Sequence, residues 1–263
     1  SRMGSSRMFR QTLISLFCAA SATAAPELAD ASFLFKDPAA VLVHDTAAKT
    51  RIFGFFVPPV PAQGGPFTRQ EDYNRAMVAA LLSKPLPPHA TLSIEWLNQN
   101  PPPADFQTSG TDGKVAASSL RMGTTHISRT FISTGDAIIL HFIADKPGDI
   151  SFRASLIPPD GKGETVVKDR RELVWSAPEK DGPLARVWVI PFESDVETEG
   201  NTLTLRGEGE CLVIFNFAQR NSAQNPIENT WQRLIDTHDP GADPADPTKI
   251  WAAIRKKAGL PGS

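Results

Sequence analysis

The pattern of apolar positions changes period along the chain. Thr68-Arg69-Gln70-Glu71 is a capping box, in which the Thr hydroxyl bonds the N3 amide and the Glu reaches back to the N-cap amide. Tyr73, Met77, Ala80 and Leu81 follow at i, i+4, i+7 and i+8, one face of a helix, and Pro85 closes it. The spacing predicts a helix over 69–83 whose stripe packs on a core. Beyond it the period falls to two. Leu92, Ile94 and Trp96 alternate with Ser93 and Glu95, and residues 125–132 are rich in β-branched and aromatic side chains. Residues 137–144 (AIILHFIA) form a nearly continuous apolar run, as a central strand requires. In 150–157, Ile150, Phe152, Ala154 and Leu156 take one face, and Ser151, Arg153 and Ser155 the other.

Turn residues divide these runs. Lys146-Pro147-Gly148-Asp149 separates the last two and predicts a hairpin. Asp160-Gly161-Lys162-Gly163 is the next turn. Strands are expected at 172–175, 185–192, 202–206 and 210–217, with Gly207-Glu208-Gly209 tightly joining the last two. Eight or more strands at this spacing predict an all-β, antiparallel super-sandwich decorated by a few helices. The C-terminal part turns helical. Residues 227–235 fit a short amphipathic helix, and 239–247 read as a stiff acidic linker. Asp246 is placed to cap a last helix with Pro247 at N1, Ile250, Trp251 and Ile254 on its apolar side, and Gly259 at its end.

The first stretch follows a different logic. Arg2, Arg7 and Arg10 precede a short apolar run, Leu13 to Ala20, and Ala22-Thr23-Ala24 offers a small-residue cleavage site. That is the layout of a secretory signal peptide, and the run is too short to span a bilayer. The expected division is therefore a leader at 1–24, a sandwich at 25–220 and a helical tail at 221–263. The expected product is exported, periplasmic or extracellular, with no membrane span. Cleavage would leave 24 basic against 29 acidic residues, a formal charge of −5, and a single cysteine, Cys211, with no intramolecular disulfide partner. Cys211 lies in an apolar run and reads as a buried thiol. For the full chain of 263 residues the net charge of −2 gives no basic surplus for nucleic acid, and 23 prolines argue against an all-helical fold.

Chemistry-bearing motifs are scarce. No G-x-S-x-G elbow, P-loop or H-E-x-x-H occurs, so no catalytic residue, cofactor or metal ligand is assigned. The histidines His44, His89, His126, His141 and His238 share no ligand spacing. His141 sits in a very apolar strand and reads as hydrogen-bonded, while His126 reads as exposed. Asp236, Asp239, Asp243 and Asp246 could supply oxygen ligands to Ca²⁺, but they lack a calcium-loop pattern and form turn-making Asp-Pro pairs. Glycosidases need two flanking carboxylates, and among 29 acidic residues nothing selects a pair. Of the five tryptophans, Trp96, Trp188 and Trp251 have core periodicity. Trp175 ends its strand before Ser176-Ala177-Pro178 and is the candidate carbohydrate-binding residue, on the expectation that its ring is exposed.

Several segments, in order, resemble one family. His89-Ala-Thr-Leu-Ser-Ile-Glu-Trp96, after the capped helix, resembles the "G-D-L-x-L-x-F" strand of the N-terminal domain of glycoside hydrolase family 95. Ile127-Ser-Arg129-Thr-Phe131-Ile-Ser133 resembles its "y-x-R-E-x-F-x-S" strand. Residues 136–152, with Ala144-Asp145-Lys146-Pro147-Gly148, resemble "D-x-V-I-V-x-R-L-x-A-D-K-P-G-x-L-S-F", and Asn201 to Gly207 resembles a later "L-x-V-x-G" strand. The family consists largely of exported α-L-fucosidases and related galactosidases that pair an N-terminal β-super-sandwich with an (α/α)6 barrel. The resemblance implies a sandwich tied to glycan degradation. The family's "G-N-G-x-L-G" and "L-N-E-x-T-L-W" signatures have no counterpart in 25–66, and no barrel follows, so no catalytic residue carries over. The implied partner is a glycan or a separately encoded catalytic domain. A standalone carbohydrate-binding or envelope interaction module is the alternative.

Overall fold

The computed structural model describes residues 30–35, 40–55, 69, 72–73, 76, 79, 90–97, 105–109, 115–133, 137–168, 171–219 and 246–258. Within them run β1 (Asp30–Phe35), β2 (Ala40–Thr46), β3 (Lys49–Phe55), β4 (Thr91–Trp96), β5 (Asp105–Ser109), β6 (Val115–Met122), β7 (Thr125–Ser133) and β8 (Ile138–Ala144). They are followed by β9 (Ile150–Ile157), β10 (Glu164–Lys168), β11 (Glu172–Ser176), β12 (Pro183–Pro191), β13 (Val196–Glu199), β14 (Thr202–Glu208), β15 (Glu210–Gln219) and α1 (Pro247–Ala258). One sheet has the order β1-β2-β3-β4-β9-β14-β13, the other β10-β11-β12-β15-β8-β7-β6-β5. Every neighbouring pair is antiparallel. The fold is thus the all-β sandwich that the period-two pattern predicts.

The main core lies between the sheets. Ile94, Phe152, Ala154 and Leu203 of the first sheet meet Phe131, Leu140, Phe142, Val187 and Phe215 of the second. Each fully buried Ile, Leu or Phe stabilises by about 1.5–3 kcal/mol relative to exposure. From Phe152 to Leu156 the alternation in β9 is obeyed, with Phe152 and Ala154 buried and Arg153 pointing outward between Glu95 and solvent, whereas Ser151, expected on the outward face, is buried. A second, smaller core covers the outer face of the eight-stranded sheet. There Ile132, Ile139, Ile190, Leu212 and Ile214 are roofed by Ile250 and Ile254 of α1. This helix starts as expected, with Asp246 Oδ1 accepting from the amides of Thr248 (3.0 Å) and Lys249 (3.4 Å).

The predicted hairpin at 146–149 is corrected. β8 and β9 lie in different sheets, so the turn is an arch that crosses the core. The reason is that β8 already pairs on both edges, with β7 and β15, and leaves β9 no place beside it. The connection at 207–209 is an arch too, since β14 pairs with β9 and β15 with β8. The two arches stack. Ala144 N–H donates to Gly209 O (2.9 Å), and Gly207 N–H donates to Ser151 Oγ (2.9 Å). Gly148 (φ 87°) and Gly207 (φ 67°) adopt the left-handed backbone at these crossings, which a side chain disfavours.

Strands β1, β2, β3, β5, β6, β10 and β13 extend the sheets beyond the predicted ones. Of the predicted early helix, residues 72, 73, 76 and 79 are helical, and Tyr73 N–H donates to Arg69 O (3.3 Å). Its capping residues Thr68 and Glu71, the leader at 1–24, the segment 227–235, Trp231 and Gly259 lie outside the described residues.

Candidate functional site

Two places concentrate polar chemistry on the sandwich. The first is inside it. Arg129 of β7 follows Ile127 and precedes Phe131 in the inward phase, so its guanidinium enters the core and is fully buried. It crosses to the opposite sheet, where Nη1 donates to Asp45 Oδ1 (3.0 Å) and to Thr46 O (2.7 Å), and Nη2 reaches Ala47 O (3.5 Å). Asp45, also fully buried, accepts further from Thr50 Oγ1 (2.5 Å) and from Ser118 Oγ. Trp96 Nε1–H donates to Thr50 Oγ1 (3.2 Å), and the guanidinium lies over the Trp96 ring at 4.2 Å. Burial lowers the Arg129 pKa from its ordinary value, while Asp45 opposes that through charge and hydrogen bonding. The turn Ala47-Ala48 that presents these carbonyls is closed by Thr46, whose Oγ1 donates to Lys49 O (2.8 Å) and accepts from Lys49 N–H (2.9 Å). This centre ties the sheets together, and a sealed ion pair between sheets has no room for a substrate.

The second place is the outer face of the eight-stranded sheet, flanking α1. On one side His141 Nε2 is 2.9 Å from Glu210 Oε1, and the Trp251 ring of α1 covers the imidazole at 4.1 Å. The sequence expectation of a hydrogen-bonded His141 holds. On the other side Arg186 pairs with Glu172 and lies over the Trp188 ring at 4.0 Å, with Asn216 directly across the strand from Arg186. Glu172, Arg186, Asn216 and His141 are themselves buried, with Arg186 on the Trp188 ring and His141 on the Trp251 ring. Trp188 and Trp251 are half-buried there, so this is where aromatic rings border the surface.

Trp175 does not border it. The ring is 1% exposed, in phase with the buried Leu173 and Ala177, and its Nε1–H donates to Lys162 O (3.0 Å). The exposure expected of it is corrected: the strand end is folded over by the 159–163 turn. A Cβ at Gly163 (φ 91°) would collide with this indole and with Ser176 O. Trp96 is buried in the main core, as its periodicity predicts. His126 is half-exposed and His44 is buried.

Sequence reasoning assigned no role to Arg129, Asp45, Glu172, Arg186 or Glu208. For Arg129 the signal was present, since a charged residue falls in the apolar phase of its strand. Glu208 lies in the second arch, where Oε2 accepts from Glu193 N–H (3.1 Å), Ser194 N–H (2.9 Å) and Ser194 Oγ–H (2.8 Å), and Oε1 from Gly209 N–H (2.9 Å). Burial alone would push its carboxyl pKa up. The bonds from Ser194, Gly209 and Glu193 overcome that and hold it below the ordinary value. Cys211 is fully buried, and burial, reinforced by Glu208 and Glu210, pushes its thiol well up. Among the described residues no group of three or more His, Cys, Asp or Glu is arranged to hold a metal, and no helix is long and apolar enough to cross a membrane.

No family model matches the chain, and no curated protein does. Among solved structures it is weakly similar to glycoside-active proteins. One is a glycoside hydrolase family 81 enzyme from Clostridium thermocellum, at 11% identity and a TM-score of 0.40 over 74% of this chain. Another is a protein from the human microbiome assigned as a kojibiose phosphorylase, at 8% identity and 0.28 over 64%. The chain spans about a quarter of the length of each, 23% and 28%.

Proposed function

We propose that the chain is an accessory sandwich domain of glycan degradation, of the kind that family 95-type glycosidases carry beside their barrel, and that it does not itself cleave glycosidic bonds. The observation that carries this is convergence. The segments that resemble the family, scattered from 89 to 207, supply residues to one packing unit. Trp96 touches Phe142 (4.8 Å) and Phe152 (5.7 Å), Phe142 touches Phe152 (5.9 Å), and Arg129 covers Trp96. The resembling positions thus act as the frame of a sandwich rather than as a catalytic constellation. The buried carboxylates favour the same reading. Asp45 is held by Arg129, Glu172 by Arg186, Glu208 by backbone amides and Glu210 by His141. A glycosidase acid or nucleophile has to face the scissile bond instead.

In this reading the partner is a glycan at the Trp188–Arg186 side of the outer face, or a separately encoded catalytic domain. Purified protein should leave an aryl-α-L-fucoside and an aryl-galactoside intact; turnover that survives purification to homogeneity would overturn the non-catalytic role. Retention on a fucosylated glycan array, lost in Trp188→Ala with an unchanged circular dichroism spectrum, is expected for direct glycan contact. Export is part of the proposal. Protein recovered from the periplasm or medium of an expressing cell should begin at Ala25, and an intact leader there would count against it.

A further inference from the structure

We propose that β10 is a self-complementary edge through which two copies of this chain join their eight-stranded sheets by antiparallel, edge-to-edge pairing. β10 ends its sheet, pairing only with β11 among the described residues. An edge strand presents unpaired N–H and C=O groups, and proteins normally blunt it with charge, proline or a bulge. The other sheet ends in a blunted edge. β13 reads Val196-Glu197-Thr198-Glu199, and three of its four residues are exposed, two of them acidic. Laid against itself, that edge brings two acid-bearing strands together.

β10 is built the other way. Its sequence is Glu164-Thr165-Val166-Val167-Lys168. Val166 is 45% exposed and Val167 37%, and they are two of the three exposed large hydrophobics among the described residues. Glu164, Val166 and Lys168 lie on one face by strand alternation, and Thr165 and Val167 on the other. A two-fold axis through Val166 sets Glu164 of each copy opposite Lys168 of the other and packs Val166 on Val166. On the reverse face it sets Thr165 against Val167. Both charges find opposite partners and both valines lose water, as an isologous contact requires. Within its own sheet Lys168 stands opposite Glu172, whose carboxylate is engaged by Arg186, and the Lys168 side chain stays exposed. The second copy is therefore the occupant that charge complementarity selects. A five-residue edge is shorter than a standard interface, so the association is weak and should appear at submillimolar concentration.

Sedimentation velocity on the full chain across that range tests the pairing. The wild type should show a concentration-dependent monomer–dimer exchange. Glu164→Lys and Lys168→Glu should each weaken it by about tenfold, because each change places like charges directly opposite. The double variant Glu164→Lys/Lys168→Glu should restore it. An equimolar mixture of the two single variants should form a heterodimer, since the all-Lys edge then meets the all-Glu edge. A wild type that stays monomeric up to the solubility limit would overturn the proposal. So would a dimer indifferent to the single charge reversals, or a mixture that fails to associate. All three variants change exposed side chains, and circular dichroism would confirm that each remains folded.

Discussion

Asp45 and Glu208 are both fully buried carboxylates near the same end of the sandwich, yet they are satisfied in opposite ways. Asp45 is matched by a full charge, the guanidinium of Arg129, which comes from the other sheet 84 residues away. The bonds to Glu208 come instead from backbone amides and one hydroxyl, donated by the neighbouring crossing between β12 and β13 and by Gly209. The difference concerns what each holds in place. An ion pair joins two distant strands through side chains and depends on both partners surviving. A carboxylate in a nest of amides fixes the path of the chain itself, and it works locally, within 15 residues.

This contrast can be broken experimentally. Arg129→Met removes the cation and leaves Asp45 buried without a counter-charge, so unfolding in urea should show a loss of about 3–5 kcal/mol. The double variant Asp45→Asn/Arg129→Met should lose less than the single one. If it loses more, the two groups are not coupled as a pair. Glu208→Gln keeps one acceptor oxygen but loses the charge and part of the amide nest, with an expected loss of about 1–3 kcal/mol. The pH dependence of that same comparison sharpens it further. The folded-state pKa of Glu208 is depressed, so its contribution is present above the unfolded-state value and is lost as pH falls through the folded one. The stability gap between wild type and Glu208→Gln should therefore be constant near neutrality and shrink in acid below about pH 4.3, the ordinary Glu value. The smallest effect belongs to the exposed ladder on the seven-stranded sheet, where Glu95 lies 3.4 Å from Lys49 and 3.8 Å from Arg153. All three side chains are 41–45% exposed, so Glu95→Gln should change the urea midpoint by about 0.5 kcal/mol or less.

The sequence made the interior strands legible because burial on one or both faces writes a period. The alternation of 150–157 and the apolar run of 137–144 became β9 and β8. β6 was missed because Ala, Ser and Met carry little of that signal over VAASSLRM, although from Val115 to Arg121 all but Ser119 and Arg121 are buried. Turn residues told where the chain bends but not which way. Lys146-Pro147-Gly148-Asp149 fits a hairpin and an arch equally, and only the occupied edges of β8 decide between them. Of the polar centres, Arg129 was readable as a charge out of phase with its strand. Its partner Asp45 was not, since nothing local connects residues that meet across two sheets. Trp175 misled because its position at a strand end outweighed its being in phase with Leu173.

The placement of β15 has a consequence for how the chain acquires its fold. β15 stands between β12 and β8 in the eight-stranded sheet, so without it that sheet falls into two pieces, β10-β11-β12 and β5-β6-β7-β8. During synthesis β8, apolar but for His141, waits with an open edge until residue 210 pairs with residue 143. Pairing over such separations is slow, on the order of milliseconds to seconds for β-rich folds. A nascent chain that has not yet reached β15 thus leaves β8 with an unpaired edge, and this sheet is closed only once β15 has emerged rather than strand by strand.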